Sequence, residues 1–159
     1  MNNTKTKGVR VERELANKFW QLGFAVVRSG SSGGGVRKRF APDLVVMRNG
    51  KIAVLEVKYR SKDSRVQLDI DRIYKLREFA NRAGAKAYIA VKFSNEQWRF
   101  VSIEQITQLL ENGNNGNSKY IYLTREYVTK NGLTLREFVE REFFTNNDII
   151  NYLRDKLSQ

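Results

Sequence analysis

Two acidic residues and one lysine have the types and spacing needed to hold a metal ion beside a phosphate. Asp43 lies thirteen residues before Glu56, and Glu56 and Lys58 stand near the end of the mainly apolar run 51–58. That run predicts a buried strand, in which side chains two residues apart share a face. A buried strand has no structural need for a carboxylate and an ammonium group at its end. The pattern therefore indicates a functional site there.

The sequence between the two acidic residues predicts a hairpin. Residues 44–47 are apolar, and Arg48-Asn49-Gly50 has the composition of a tight turn before the run 51–58. In such a hairpin, Asp43 and Glu56 lie near each other at one end of the strand pair. Two neighbouring carboxylates repel each other unless a cation lies between them, and a divalent metal is the simplest candidate.

An alternative for each of these residues is purely structural. Glu56 and Lys58 alone are compatible with a surface ion pair at a strand end. We favour the metal site because Pro42-Asp43 stands at a suitable distance with a strand predicted in each place. Glu12, on the first predicted helix, is a third acidic candidate that could reach the metal or its waters. It is equally compatible with a solvated charge near a helix start.

The residue types that are missing restrict the chemistry. The chain contains neither His nor Cys, which excludes a Ser–His triad, a histidine general base, a thiol nucleophile, and zinc bound by imidazole or thiolate. A metal must then be a hard cation with oxygen ligands, so we expect Mg²⁺, with Mn²⁺ as a substitute. The Gly/Ser-rich loop 29–35 lacks the Gly-Lys-Ser/Thr ending of a P-loop, so no nucleotide cofactor is expected.

The charge distribution favours a nucleic acid as the partner. The net charge is +12, and residues 1–60 contain 13 Lys and Arg against 4 Asp and Glu, whereas residues 61–159 contain 16 against 13. A positive half that also contains the carboxylates suits a polyanion whose scissile phosphate meets the metal. The alternative is that the basic charge serves solubility only.

Basic residues flank the Gly/Ser-rich loop on both sides. Arg28 precedes it, and the run Arg37, Lys38 and Arg39 follows its last glycine. Small residues followed by a basic run suit the close approach of a nucleic-acid backbone. An ordinary surface loop is the alternative for the glycines.

The length of 159 residues predicts one globular domain. No apolar run approaches the roughly 20 residues that span a membrane, and the N-terminal residues lack a hydrophobic secretion signal. We therefore expect a cytoplasmic protein associated with nucleoid DNA and no membrane partner. The polar segment 112–118 predicts a linker or loop between a core, 1–111, and a C-terminal extension, 119–159, packed on the core or on a dimer.

Hydrophobic periodicity predicts an α/β fold with a mixed central β-sheet flanked by helices. The predicted helices cover residues 9–22, 67–83, 104–111, 133–144 and 148–157. The predicted strands cover residues 24–28, 43–48, 51–59, 85–93, 98–103 and 119–124.

Several segments together resemble the archaeal Holliday junction resolvases, members of the restriction-endonuclease-like nuclease superfamily. They lie between about Lys7 and Ile103 and comprise Lys7-Gly8, Glu12-Arg13-Glu14-Leu15, the segment 23–29, Pro42-Asp43, Glu56-Val57-Lys58, Glu78-Phe79-Ala80 and Trp98-Arg99-Phe100. The Pro-Asp and Glu-x-Lys elements alone belong to a broad superfamily. Their combination with the helix glutamate and the strand Phe-Ala-Val-Val-Arg is more specific.

The resemblance implies a Mg²⁺-dependent homodimer that nicks two opposed strands of a four-way DNA junction. It assigns Glu12, Asp43, Glu56 and Lys58 to active-site positions, with the three carboxylates holding the metal. Ser32 falls where the family has a loop serine important for cleavage. The role of Lys58 stays open between orienting the attacking water and stabilising charge in the transition state.

The resemblance also implies roles outside the metal site, and this chain differs from the family pattern at Arg72 and in the segment 119–159. Arg13 and Arg28 match basic positions used for DNA binding or activity, and Phe79 matches a position tied to subunit packing. Relatives often carry Gln where this chain has Arg72. The segment 119–159 is longer than expected and unmatched.

The expected function is therefore that of a structure-selective DNA endonuclease that resolves four-way junctions by metal-dependent phosphodiester hydrolysis. A homodimer would make the paired nicks. Two alternatives stay open: a related nuclease on the same scaffold with another DNA substrate, and a noncatalytic DNA-binding protein.

Overall fold

Five strands form a central sheet, and helices cover both of its faces. The computed structural model describes residues 3–29, 39–113, 116–148 and 151. The strands are β1 (Ala25–Arg28), β2 (Leu44–Arg48), β3 (Lys51–Arg60), β4 (Val66–Asp69), β5 (Lys86–Phe93), β6 (Arg99–Ser102) and β7 (Tyr120–Leu123). The helices are α1 (Asn3–Gln21), α2 (Ile70–Ala83), α3 (Ile103–Asn112), α4 (Arg125–Asn131) and α5 (Leu135–Phe143). None of the helices in these ranges has the length and apolar character that crossing a membrane requires.

The central sheet is mixed. Its strand order is β1-β2-β3-β5-β6. Strands β3 and β5 are parallel, and the other neighbours are antiparallel. Strands β4 and β7 form a separate two-stranded antiparallel sheet. The prediction of a mixed central sheet flanked by helices is confirmed.

The predicted hairpin is formed by β2 and β3. Asn49 and Gly50 form its turn, with φ angles of 52° and 73°. Two successive positive φ angles are the requirement of a type I′ turn, which matches the twist of the flanking strands. The register pairs Leu44 with Leu55. Asp43, one residue before β2, therefore lies beside Glu56 at the far end of the hairpin.

Strand β3 is covered on both faces. Leu55 belongs to the apolar core that includes Leu15 and Phe19 of α1, whereas Val54 belongs to the core that includes Ile73 of α2. Alternate residues of a strand face opposite sides of the sheet, which explains this division. Glu56 falls on the α2 side, and only 4% of its surface is exposed. The strand thus carries a carboxylate into the protein interior.

The C-terminal part of the chain contributes to the same cores. Phe138 of α5 is fully buried, and its ring stacks on Phe100 with a centroid distance of 4.4 Å. It also meets Phe19 and Phe143 edge to face at 5.9 and 5.8 Å. Helix α5 therefore packs on the central sheet. The division of the chain at 112–118 stays a prediction.

The predicted start of the second helix is wrong. Residues 66–69 form β4, in which Leu68 pairs with Ile121, and the helix begins at Ile70. Leu68 fits the helical spacing of the apolar residues that follow it, but the ladder with β7 holds it in a strand. Asp69 caps the helix by accepting hydrogen bonds from the N–H groups of Asp71 and Arg72. Asp69 is therefore a capping residue and not part of a solvated helix face.

Other helix boundaries differ from prediction. Helix α1 begins at Asn3, six residues before its predicted start. Helix α4, capped by Thr124, was not predicted. Helix α5 begins at Leu135, after a capping box at Thr134, and ends at Phe143. The predicted helix 148–157 lies almost entirely outside the described residues.

Phe138→Ala is expected to lower the free energy of unfolding by about 3–5 kcal/mol, because truncating a fully buried aromatic leaves a cavity. Chemical denaturation monitored by circular dichroism measures this loss. Tyr122→Ala is the matched control, since Tyr122 is 51% exposed and its truncation should cost no more than about 1 kcal/mol. Equal losses in the two variants would mean that α5 does not contribute to the core.

Candidate active site

Asp43 is fixed at the open end of the hairpin by hydrogen bonds to its neighbours. Its Oδ2 accepts a hydrogen bond from the N–H of Val57 at 2.8 Å. The hydroxyl of Ser29 donates to the carbonyl of Pro42 at 2.6 Å, and the N–H of Ser29 donates to the carbonyl of Asp43. The residue after β1 and a backbone N–H within β3 therefore hold this carboxylate in place.

Glu56 has one partnered oxygen and one unpartnered oxygen. Its Oε1 lies 2.7 Å from Nε of Arg72 and 3.2 Å from Nζ of Lys58. Its Oε2 is buried and has no hydrogen-bond partner among the described residues. An unsatisfied buried acceptor costs roughly 1–3 kcal/mol. A carboxylate oxygen without a partner is chemically able to bind a cation. The closeness of Glu56 to Lys58 agrees with their predicted placement on one face of the strand.

The positive charges near Asp43 and Glu56 do not fully offset the repulsion between the two carboxylates. The pKa of Asp43 is raised to about 7, mainly by burial and next by the neighbouring carboxylate of Glu56. The hydrogen bond from Val57 and the charge of Arg72, whose Nη2 lies 3.6 Å from Oδ1, lower this pKa but do not restore its ordinary value. A hard divalent cation bound by oxygen ligands would relieve the repulsion.

Glu12 faces the same cluster from α1. Its Oε2 lies 3.6 Å from Nη1 of Arg28. Burial raises the pKa of Glu12, Arg28 opposes this, and the charge of Glu56 raises the pKa again. Across the described residues, however, no three acidic side chains are close enough to form a complete set of metal ligands. The three carboxylates therefore share one electrostatic environment without forming a preassembled three-ligand site.

Arg72 is a member of this cluster that sequence reasoning did not assign to the site. It lies in the first turn of α2 and contacts both carboxylates, and its guanidinium carbon is 5.0 Å from the ring centre of Phe40. The sequence identified Arg72 only as a departure from the glutamine of relatives. Its position follows from the start of α2, which the prediction placed three residues too early.

The basic residues predicted to contact DNA differ in their exposure to solvent. Arg28 is partly buried beside Glu12, whereas Arg13 and Arg39 are exposed to solvent. Three predicted residues lie outside the described ranges: Ser32, Arg37 and Lys38. Their roles stay predictions.

Comparison with known proteins relates this arrangement to one nuclease family. The sequence model described as "Archaeal holliday junction resolvase (hjc)" matches residues 3–146. This chain belongs to that family. The match extends past Ile103 and includes α4 and α5, so the expectation that the segment after 118 is unmatched is wrong for residues 119–146.

Individual Hjc proteins are similar over most of their length. The crossover junction endodeoxyribonuclease Hjc of Sulfurisphaera tokodaii is 33% identical over 114 residues, which cover 72% of this chain and 77% of that protein. The Hjc of Archaeoglobus fulgidus is 35% identical over 108 residues, which cover 68% and 77%. A solved structure of A. fulgidus Hjc, a Holliday junction resolvase, superposes with a TM-score of 0.65 at 29% identity, covering 87% of this chain and 99% of the other.

Asp43→Asn is expected to stabilise the metal-free protein at high pH. Because folding raises the pKa of Asp43 from 3.8 to about 7, the folded state binds more protons than the unfolded chain within that window. Stability is therefore lost as the pH rises through it. Asparagine keeps an acceptor for the Val57 N–H but cannot ionise. The free energy of unfolding of the variant should therefore exceed that of wild type by about 1–3 kcal/mol at pH 8.

Urea denaturation with a chelator present, at pH 5 and at pH 8, measures this difference. The two proteins should differ much less at pH 5. Parallel pH dependence in the variant and the wild type would show that Asp43 titrates normally in the folded state.

Proposed function

We propose that this protein is a DNA endonuclease that resolves four-way junctions by metal-dependent phosphodiester hydrolysis, acting as a homodimer. The observation that carries the proposal is the pair formed by buried Glu56 and partly buried Asp43, with Lys58 beside it. Membership of the Hjc family supports branched DNA as the substrate. The chemistry of the cluster supports hydrolysis at a phosphate.

The donor set suits Mg²⁺ or Mn²⁺. Asp43 and Glu56 would hold the ion, with the unpartnered Oε2 of Glu56 as one ligand, and Glu12 would contact the waters of the ion. When bound, the metal supplies a Lewis acid that polarises the scissile phosphate and makes a bound water more acidic. Oxygen ligands alone match the preference of these hard cations.

Lys58 would assist from its position beside Glu56. Its Nζ is 3.2 Å from Oε1 of Glu56, and about a quarter of its side chain is exposed. An ammonium group held in a partly dehydrated site interacts more strongly with developing charge than it would in water. Lys58 can therefore donate to a phosphate oxygen or orient the attacking water without moving away from the cluster.

Basic residues near the site would bind the DNA backbone. Arg28 lies beside Glu12, and Arg13 and Arg39 are exposed to solvent. Phosphate contacts of this kind position a substrate without reading its sequence. A two-fold dimer would present two identical sites, which suits paired cuts in opposed strands of a symmetric junction.

Glu56→Gln is expected to lower junction cleavage by at least about a hundredfold, because it removes the charge that would hold the metal. Cleavage of a labelled four-way junction, first without and then with Mg²⁺, measures the loss. Junction binding in a gel-shift assay should stay within about threefold of wild type or become tighter, since the variant has one negative charge fewer. Glu78→Gln, on the exposed face of α2, is the control and should cut normally. Wild-type cleavage by Glu56→Gln would refute the assignment.

A panel of DNA substrates tests the choice of substrate. We expect cleavage of a four-way junction to exceed that of a linear duplex, a flap and a single strand of the same sequence, with matched nicks in opposed strands. Preferred cutting of a linear duplex or flap would identify another nuclease on this scaffold. Tight junction binding without cleavage in Mg²⁺ or Mn²⁺ would identify a noncatalytic DNA-binding protein.

A further inference from the structure

Arg72 already provides a cation at the place where the proposed metal would bind. Its Nε donates to Oε1 of Glu56 at 2.7 Å, and its Nη2 lies 3.6 Å from Oδ1 of Asp43. One guanidinium thus contacts both carboxylates of the proposed metal site. The inference below rests on the proposed function, since it concerns the same pair of carboxylates.

The position of Arg72 is fixed by α2. Asp69 caps the helix and accepts a hydrogen bond from the backbone N–H of Arg72. The ring of Phe40 lies 5.0 Å from the guanidinium carbon, within the range of a cation–π contact. The side chain is nevertheless 41% exposed, and it lines an opening that also includes Glu56, Lys58 and Asp69. The guanidinium therefore has room to leave the carboxylates without unfolding the helix.

In the part of the chain that the structure describes, Arg72 does not form the two parallel hydrogen bonds to one carboxylate that a strong structural salt bridge would have. A guanidinium can bind a carboxylate through two parallel hydrogen bonds, one to each oxygen. Here Oε1 of Glu56 receives the hydrogen bond, whereas Oε2 stays buried and without a partner among the described residues. Lys58 also contacts Oε1, at 3.2 Å, so the two cations lie at one oxygen of Glu56, and a divalent ion would compensate the other.

We propose that Arg72 is an intramolecular counter-ion that holds Asp43 and Glu56 in the metal-free protein and must be displaced when a divalent ion binds. Arg72 thereby lowers the affinity of the site for metal. Like charges cannot share the space between the two carboxylates, and the hydrogen bond to Oε1 must be broken or lengthened. Hydrogen bonds to charged groups correspond to roughly tenfold to hundredfold in an equilibrium constant. Because Arg72 is partly exposed, the lower end of this range is expected.

Isothermal titration calorimetry with Mn²⁺, on full-length protein without DNA, tests the proposal. Arg72→Gln should bind Mn²⁺ about tenfold more tightly than wild type. Arg82→Gln is the matched control, because it removes the same charge from the same helix but from an exposed pair with Glu78. It should bind Mn²⁺ as wild type does. Equal or weaker binding by Arg72→Gln would overturn the proposal.

Thermal melting gives a second measurement that does not depend on activity. In a chelator, Arg72→Gln should melt below wild type, because its two carboxylates have lost their counter-ion. Added Mn²⁺ should raise the melting temperature of this variant more than that of wild type. If Arg72→Gln does not fold, Arg72→Lys replaces it in both measurements. Arg72→Lys should bind Mn²⁺ more tightly than wild type, because lysine lacks the planar guanidinium that can donate to both carboxylates. Unchanged binding by Arg72→Lys would then overturn the proposal.

Glu56→Gln separates this inference from the proposed function. Mn²⁺ binding that survives in Glu56→Gln occurs elsewhere on the protein and is subtracted. If neither wild type nor Arg72→Gln shows binding that depends on Glu56, the metal site itself is refuted and the inference with it. If both show such binding with the same affinity, the metal site stands and only the role of Arg72 is refuted.

Discussion

The repulsion between the carboxylates of Asp43 and Glu56 is the constraint around which the site is organised. Both groups are held by backbone geometry: Asp43 by the N–H of Val57, and Glu56 by its place in a covered strand. Neither can move away into solvent without breaking those contacts. The protein offsets the repulsion with Arg72 and Lys58, and it leaves one oxygen of Glu56 without a partner. A protein that needed only stability would gain by replacing this pair with apolar residues.

The fold imposes this arrangement through the hairpin and the two helical layers. The turn at Asn49-Gly50 sets the register that brings Asp43 beside Glu56. The helices on both faces exclude water from β3, so the charge of Glu56 is felt strongly by its neighbours. Helix α1 adds Glu12 and α2 adds Arg72, and each comes from a different face of the sheet. The site therefore depends on packing contacts far along the chain, including those of Phe138.

Local signals account for what the sequence could predict. The turn residues, the alternation along 51–58 and the placement of Glu56 and Lys58 on one face are properties of a few consecutive residues, and the structure agrees with each. The position of Arg72 was missed because β4 owes its conformation to pairing with β7, more than fifty residues later. A strand held by a distant partner leaves little local pattern, and Leu68 fitted the helix that follows it. The packing of Phe138 on Phe19 is equally remote in sequence.

A crystal of this protein soaked in Mn²⁺ would test the central claim most directly, because the anomalous scattering of manganese locates the ion without reference to activity. The account predicts a peak at about 2.0–2.3 Å from Oε2 of Glu56 and from a carboxylate oxygen of Asp43, with the guanidinium of Arg72 moved away from Oε1. No peak between these two carboxylates, at an Mn²⁺ concentration that supports junction cleavage, would contradict it.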